Sequence, residues 1–471
     1  MDQGLLEVDA EGSRYWTYGG DYGVDAPSDG NFLCNGLVGP DRKPHPGAYE
    51  VGHVYQNVSI NWVSRRTFKI FNRFYFTSLE PYKIIWKVTA DGSVLGEGFL
   101  RLDTAPQTSE EFVLENVPVL PFEKKCYIDF SVVTLKDDRL LPKGSEIAHD
   151  QILLSKGNHT PPERDLDVES FENSESVGLS NGTASISFDK QKGYLTEYKV
   201  AGNSFFDSEF GMRPSFWRAP TDNDYGCWWP SRTQAFKTSS REFNVKARCE
   251  NGSIVADYTL ASGNTFTVRY ALSGASLLVD YSFKGVASER PIEVPRIGFR
   301  MRLPASADKF SYFGRGPHEN YWDRCSGSFM GLYESSASGE FVPYVRPQEC
   351  GHHTEVQMLS IGGLKILGHG FEFNALRCAV EDLDSEEAVR HDYQWTNRDP
   401  AEPHDPAQAR NILRRQQHVN DYVAHNFVEL CLDGRMSGVG GYDSWGATAE
   451  KERTLWSDRD YSFSFFMEPA K

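Results

Sequence analysis

Three segments rich in aromatic residues and glycine carry the residue types that bind sugars or cations. They run from Tyr15 to Val38 with Phe32 and Asn35, from Phe216 to Trp229, and from Met436 to Gly446 with Trp445. Aromatic rings stack on the apolar faces of a sugar, while carboxylates and amides bond its hydroxyl groups. Carbonyl and amide oxygens in the first segment also suit a hard cation. Each segment also fits a structural alternative, namely a tight turn, an Asx-rich turn over buried aromatics, and core packing of Trp445.

Strong enzyme motifs are absent from the sequence. There is no Gly-x-Gly-x-x-Gly after a strand, no Walker loop, no Gly-x-Ser-x-Gly and no His-Glu-x-x-His. His352 and His353 with Glu355 resemble metal ligands, but adjacent residues of a strand point to opposite faces and cannot chelate one ion together. The same geometry argues against His318 and Glu319 as an acid–base pair. We therefore predict structural roles for both groups.

The composition predicts a globular protein of two or three domains. The chain has 471 residues, of which 39% are hydrophobic and 13% aromatic, and its net charge is −17. The basic residues are scattered, and the acidic balance repels phosphate backbones and anionic lipids, so nucleic acid and membrane surfaces are not expected partners. Eight cysteines at irregular spacing are interpreted as buried thiols. The acidic start lacks a secretory signal, and no apolar run spans a bilayer, so we expect a soluble, cytoplasmic protein.

Short alternating runs dominate the chain after its first 55 residues. Residues 56–160 contain the strand patterns Val58–Trp62, Phe68–Ile70, Ile84–Val88 and Tyr127–Val132, and a hairpin turn at residues 90–93, which together predict an immunoglobulin-like sandwich. Residues 161–176 are polar and predict a linker. In residues 177–471, alternation at 265–272 and 277–283 around a Ser-Gly-Ala-Ser turn predicts one large antiparallel sandwich.

Two segments depart from this strand pattern. Residues 381–417 are charged and contain proline, and Asp405-Pro406 fits the start of a short helix, so a surface insertion is predicted. Residues 1–55 are poor in strands and rich in glycine, with a loop that leads into one helix after Pro46. Such a segment closes no core of its own and predicts the remnant of a larger unit.

Taken together, motifs along the whole chain resemble the C-terminal portion of lac-type β-galactosidases of glycoside hydrolase family 2. The resemblance rests on these segments, in family order: Asp2-Gln3-Gly4, Asn35-Gly36-Leu37-Val38, Asp41-Arg42-x-Pro44-His45-Pro46, Arg218-Ala219-Pro220-x-Asp222-Asn223-Asp224, Gly314-Arg315-Gly316-Pro317-x-Glu319-Asn320-Tyr321-x-Asp323-Arg324 and Asp443-Ser444-Trp445. The chain departs from the family at Tyr442, where an acid is usual.

The resemblance implies an all-β fold after a barrel remnant. Residues 1–55 would be the end of a (β/α)8 barrel, 56–160 an immunoglobulin-like sandwich, and 177–471 a sandwich similar to galactose mutarotases. The acid/base and the nucleophile of the family lie in Gly-Asn-Glu-Ser and Cys-Glu-Tyr segments, and neither occurs in this sequence. Retaining hydrolysis needs both carboxyl groups about 5–5.5 Å apart, so the chain alone is expected to be inactive.

The site residues that the resemblance implies for this chain support catalysis but do not carry it out. The Phe32 carbonyl and the Asn35 side chain match sodium ligands of the family. This sodium site is incomplete here, because its aspartate ligand lies in the barrel. Mg²⁺ is expected only in the full-length enzyme. Asn35 also matches a family residue that lies beside the 6-hydroxyl of the sugar. Trp445 matches a family residue that stacks on the substrate. The substrate implied by the family is a terminal β-galactoside such as lactose. The stacking match favours substrate contact over core packing for Trp445.

Three interpretations of the chain remain open. It is a fragment of a β-galactosidase, a small subunit whose large subunit is encoded separately, or a freestanding carbohydrate-binding or mutarotase-like protein. The first two require a missing barrel partner. Apolar side chains of residues 1–55, with Trp16, Phe32 and Leu37 among them, are then expected to be exposed or repacked, and the exposed surface favours self-association.

Overall fold

The computed structural model describes residues 1–22, 32, 34–158, 160–207, 209–384, 417–441, 443 and 446–470. Antiparallel strands make up nearly all of the regular structure. Among these residues, the helices are too short and too polar to cross a membrane. The all-β fold class predicted from the sequence is confirmed.

The N-terminal segment combines a small hairpin with one helix. Strands β1 (Leu6–Val8) and β2 (Arg14–Trp16) pair with each other, and helix α1 (Pro46–Val54) follows. Proline fits the first turn of a helix, where its missing N–H is not needed. The predicted helix is confirmed, whereas the hairpin was missed because strands of three residues leave no alternation to detect.

Residues 58–156 form two facing sheets. Their strands are β3 (Val58–Ser64), β4 (Thr67–Asn72), β5 (Tyr82–Ala90), β6 (Ser93–Leu100), β7 (Ser109–Val113), β8 (Lys125–Thr134) and β9 (Glu146–Lys156). The sheet orders are β3-β4-β7 and β6-β5-β8-β9, and one buried cluster fills the space between them. At the predicted hairpin turn, Asp91 and Gly92 have φ of 46° and 80°, the left-handed pair that a two-residue turn requires.

A five-stranded sheet follows. It consists of β10 (Glu169–Glu172), β11 (Ser176–Ser180), β12 (Ala184–Asp189), β13 (Tyr194–Val200) and β14 (Asn203–Ser204), in that order. Strand β10 lies inside the segment predicted as a linker. It pairs with β11, and its Phe171 ring packs so closely over Gly178 that a Cβ there would lie 2.2 Å away. One apolar residue among acids leaves no strand pattern, which is why polar composition pointed to a linker.

A twelve-stranded sheet follows, with three short helices after its first strand and a fourth near its C-terminal end. The elements are β15 (Arg213–Ser215), α2 (Asp222–Gly226), α3 (Trp229–Arg232), α4 (Gln234–Ser239), β16 (Asn244–Glu250), β17 (Ser253–Thr259), β18 (Thr265–Ser273), β19 (Ser276–Lys284), β20 (Arg296–Pro304), β21 (Lys309–Gly316), β22 (Phe329–Ser336), β23 (His352–Ile361), β24 (Leu364–Leu376), α5 (Val380–Leu383), β25 (Phe427–Met436) and β26 (Tyr461–Pro469). The main path is β15-β20-β25-β24-β26-β19-β18-β17-β16, and β23, β21 and β22 continue from β24.

The five- and twelve-stranded sheets share one core. Leu179 and Phe188 of the smaller sheet belong to the same buried cluster as Val268, Val279 and Phe299 of the larger one. Strands β18 and β19 confirm the predicted alternation, and the single large sandwich is confirmed.

Of the predicted insertion at 381–417, residues 385–416 lie outside the described residues, Asp405 included. The predicted domain boundaries stay predictions.

Candidate functional site

A cleft of about 830 Å³ opens where the N-terminal segment meets the large sandwich. Its lining comes from five stretches of chain that are distant in sequence: residues 32–51, 221–226, 319–324, 344–349 and 439–450. Phe32 and Asn35 both line it, and 38% of Phe32 is exposed. The fold therefore brings the first two predicted site residues to one concave surface.

Asp2 and His45 hold the loop that carries Asn35. The Gly36 amide donates to Asp2 Oδ1 at 2.5 Å, and His45 Nδ1 donates to the Gly36 carbonyl at 3.1 Å. Asp2 is 1% exposed, and this burial raises the pKa of its carboxyl, although the Gly36 amide and His45 oppose the shift. Both residues belong to motifs of the family resemblance, but their contact is not visible in the sequence, since 42 residues of chain lie between them.

A second rim of the cleft is the α2 turn. Thr221 caps α2 in a reciprocal box with Asp224, whose carboxylate also pairs with the buried Arg218 at 2.5 Å. Asp222 faces Arg346 at 3.1 Å, and burial raises the pKa of Asp222 while Arg346 opposes the shift. Acids in the first turn and a satisfied cap explain why the segment is helical and not an open loop.

The α2 turn contacts the glycine-rich third segment. Asn223 Nδ2 donates to the Asp443 carbonyl at 2.9 Å. Gly446 packs so closely on Gly226 that a Cβ at residue 446 would lie 2.5 Å from the Gly226 carbonyl carbon. The described residues of the second and third candidate segments thus touch at these two points. Trp445, the stacking residue predicted for this rim, lies outside the described residues, whereas its neighbours Asp443 and Gly446 line the cleft.

The carboxylates of the motif at residues 314–324 are engaged by protein groups. Glu319 accepts from Arg324 and Tyr344, both at 2.6 Å, and from the Gly351 amide at 2.7 Å. Asp323 accepts from the amides of residues 439 and 440 at 3.1 and 2.8 Å. These contacts fix the third segment onto the motif, which agrees with the structural role predicted for Glu319.

His352 and His353 point to different partners. His352 Nε2 lies 3.1 Å from Glu372, and His353 Nε2 lies 2.9 Å from Glu340. Both rings are fully buried on β23. Among the residues that the structure describes, no group of three or more histidine, cysteine or acidic side chains could hold a metal ion.

Family models cover three successive parts of the chain. Residues 1–60 match the model described as Glycosyl hydrolases family 2, TIM barrel domain, and residues 68–155 match Beta-galactosidase, domain 4. Residues 180–467 match Beta galactosidase small chain. The three matches follow one another along the chain, and the small-chain model covers more than half of it. The chain belongs to the β-galactosidase small-chain family, which confirms the resemblance.

Curated relatives align with nearly the whole length of this chain. A β-galactosidase of Priestia megaterium is 32% identical over 486 residues, which cover 99% of this chain and 44% of the relative. A β-galactosidase of Vibrio cholerae is 28% identical over 481 residues, with 97% and 43% covered. The chain therefore spans less than half the length of these relatives.

Solved structures give only a distant likeness. A putative aldose 1-epimerase from Escherichia coli is 9% identical, with a TM-score of 0.32, over 64% of this chain and 98% of that chain. A galactose mutarotase related enzyme from Lactobacillus acidophilus is 10% identical, with a TM-score of 0.33, over 64% and 97%. At these scores the likeness supports no further argument about the chain.

Proposed function

We propose that this chain supplies one side of a β-galactoside site and requires a barrel partner for hydrolysis. The observation that carries the proposal is the cleft itself, because one wall comes from the segment that matches the barrel model and the other from the small-chain family region. A cleft at such a junction is where a substrate site is expected.

The chain alone is proposed to be inactive because it lacks the catalytic pair of glutamates. Retaining hydrolysis uses two carboxyl groups about 5–5.5 Å apart, one on each side of the scissile bond. Among the described residues of the cleft, Glu50, Glu319, Asp323 and Glu349 all accept hydrogen bonds from protein groups. Hydrogen bonds from the protein hold these four carboxylates in place, which fits the proposal that the catalytic groups come from the partner.

Asn35 and Trp445 are the proposed sugar contacts. Asn35 lines the cleft, and a side-chain amide both donates to and accepts from a sugar hydroxyl. Trp445 is proposed to stack on the sugar from the rim that Asn223 and Asp443 form. The sugar is proposed to be a terminal, non-reducing β-D-galactose unit.

A weak sodium site is proposed at the Phe32 carbonyl and Asn35. Both residues line the same cleft, and their oxygens suit a hard cation. Two protein oxygens provide fewer ligands than such a cation requires, so tight binding needs the aspartate expected from the barrel. The ion would help to orient the sugar, while Asn35 would hold a hydroxyl group.

The barrel partner is proposed to cover exposed apolar side chains of the N-terminal segment. Leu5, Leu37 and Tyr55 are 62%, 45% and 78% exposed. Exposed apolar side chains on one short segment indicate a surface that another unit covers. A longer polypeptide and a two-chain assembly both satisfy this requirement, and the coding sequence upstream of Met1 distinguishes them.

Hydrolysis of a chromogenic β-galactoside tests the proposal. We expect no hydrolysis above background from the chain alone, and hydrolysis after mixing with a polypeptide that contains the preceding barrel region of a relative. The barrel polypeptide alone is the matched control. Hydrolysis by the chain alone would contradict the missing catalytic pair, and failure of the mixture would contradict the shared site.

A further inference from the structure

The loop at residues 34–38 is closed by two side chains that have no assigned role. We propose that Asp2 and His45 are positioning residues, a clasp that holds this loop against the cleft and sets Asn35 for its sugar contact. The inference rests on the proposed function, because the value of the clasp depends on Asn35 touching the galactoside.

Asp2 grips the loop at two points. Its Oδ1 accepts the Gly36 amide at 2.5 Å, and its own amide donates to the Val38 carbonyl at 2.8 Å. The contact is direct, since a Cβ at residue 36 would lie 2.4 Å from the Asp2 nitrogen. Glycine is therefore required at position 36, immediately after Asn35.

His45 completes the clasp from the other side. Its Nδ1 donates to the Gly36 carbonyl at 3.1 Å, and its amide donates to the Leu37 carbonyl at 2.9 Å. The amide and the carbonyl of Gly36 are thus both hydrogen-bonded, which restrains the backbone that follows Asn35.

The two clasp residues also face each other. Asp2 Oδ2 lies 3.5 Å from His45 Nε2. Within the described part of the chain, this buried oxygen has no hydrogen-bond partner. The His45 ring packs edge-on against Tyr344 at 5.2 Å, and the Tyr344 hydroxyl donates to Glu319. The clasp therefore connects the N-terminal segment to the motif at residues 314–324, which lines the other wall of the cleft.

Cys34 provides a built-in reporter for the clasp. Its thiol lies next to Asn35, lines the cleft and is partly buried. Opening of the loop would expose the thiol to alkylation by N-ethylmaleimide, measured on the full chain by mass spectrometry of the peptides. Cys249, on β16 of the large sandwich, is the internal reference.

We expect Asp2→Ala and His45→Ala to speed alkylation of Cys34, relative to Cys249, by about tenfold or more, because each removes a buried hydrogen-bond partner. Asp2→Asn keeps an oxygen that accepts from Gly36 and should restore most of the protection. Lys43→Ala, in the same turn but with its side chain 83% exposed, should change nothing. Unchanged Cys34 rates in both alanine variants would overturn the clasp.

Titration calorimetry with isopropyl β-D-thiogalactoside, on the chain combined with the barrel polypeptide, then separates a positioning role from a purely structural one. We expect the Asp2→Ala variant to lose about tenfold in affinity and the Lys43→Ala variant to lose none. Faster alkylation with unchanged affinity would overturn the positioning role and leave a purely structural clasp. No binding to the unmodified chain in the presence of the barrel polypeptide would overturn the proposed sugar contact, and the positioning role with it. The alkylation rates still decide whether the clasp exists.

Discussion

At the scale of single residues, the cleft places several carboxylates in low-dielectric surroundings and gives each a protein partner. Glu319 is 5% exposed, and its two oxygens accept from Arg324, Tyr344 and the Gly351 amide. A catalytic acid would need one oxygen directed at the substrate. The partners of Glu319 instead lie within the motif, at Arg324, and beyond it, at Tyr344 and Gly351, which indicates that this glutamate holds the loop in place.

Replacing Glu319 with glutamine tests that role. We expect Glu319→Gln to lower the free energy of unfolding of the large sandwich by about 3 kcal/mol, because it leaves the Arg324 charge without its buried partner. Urea denaturation followed by fluorescence measures the loss. Glu334→Gln, at an exposed position of β22, is the control and should cost little. A stable Glu319→Gln variant would contradict the structural role.

At the scale of elements, α1, the two-sheet sandwich and the large sandwich meet at one junction. His149 of β9 stacks on Phe329 of β22, with ring centroids 3.9 Å apart. Gln56, just beyond α1, binds both Asp150 and the His149 amide. Burial disfavours the charged ring of His149, but Asp129 and Glu146 outweigh this effect and raise its pKa to about 9.

The junction should therefore weaken at alkaline pH. The folded-state pKa of His149 lies above its ordinary value of 6.5, so its charge stabilises the fold fully below that value and loses the effect as the pH rises through about 9. We expect the thermal unfolding midpoint of the chain to fall between pH 6.5 and 9.5, and His149→Gln to flatten that fall. His369→Gln, at an exposed position, should leave the profile unchanged. A profile that is the same with and without His149 would contradict this account.

At the scale of the whole molecule, some residues of the N-terminal segment are docked on the large sandwich and others are exposed. Tyr18 is buried, and its hydroxyl donates to the Gln417 carbonyl at 2.7 Å, while Asp21 pairs with His418 at 2.9 Å. Trp16 is half-buried, whereas Leu37 is exposed. The expected exposure of apolar side chains is thus seen at Phe32 and Leu37. Trp16 is less exposed because it lies in the part of the segment that docks on the large sandwich.

A charged residue in place of the exposed Leu37 should impair assembly with the barrel partner without unfolding the chain. We expect Leu37→Asp to weaken association with the barrel polypeptide by about tenfold or more, because a leucine that becomes buried contributes about 1.5–3 kcal/mol. The concentration of barrel polypeptide that restores half-maximal hydrolysis measures this effect. Leu140→Asp, at a position 85% exposed in the two-sheet sandwich, is the control. Equal effects of the two substitutions would contradict a partner surface at Leu37.

The sequence alone determined the features that depend on local periodicity and on motif order. Alternation predicts β5, β8, β18 and β19, because a half-buried strand repeats every two residues. The turn at Asp91 and Gly92 follows from two residues that tolerate left-handed backbone. Motif order then identified the family, and with it Phe32, Asn35 and Trp445, whose roles stay predictions.

Only the tertiary structure decided which distant residues meet. Asp2 and His45 close one loop, and Asn223 reaches Asp443 across 220 residues, contacts that no periodic pattern encodes. Strand β10 is likewise visible only through its pairing with β11. The physical reason is that buried polar groups must find partners wherever the chain brings them, so the residues that hold the cleft together emerge only once the sheets have packed.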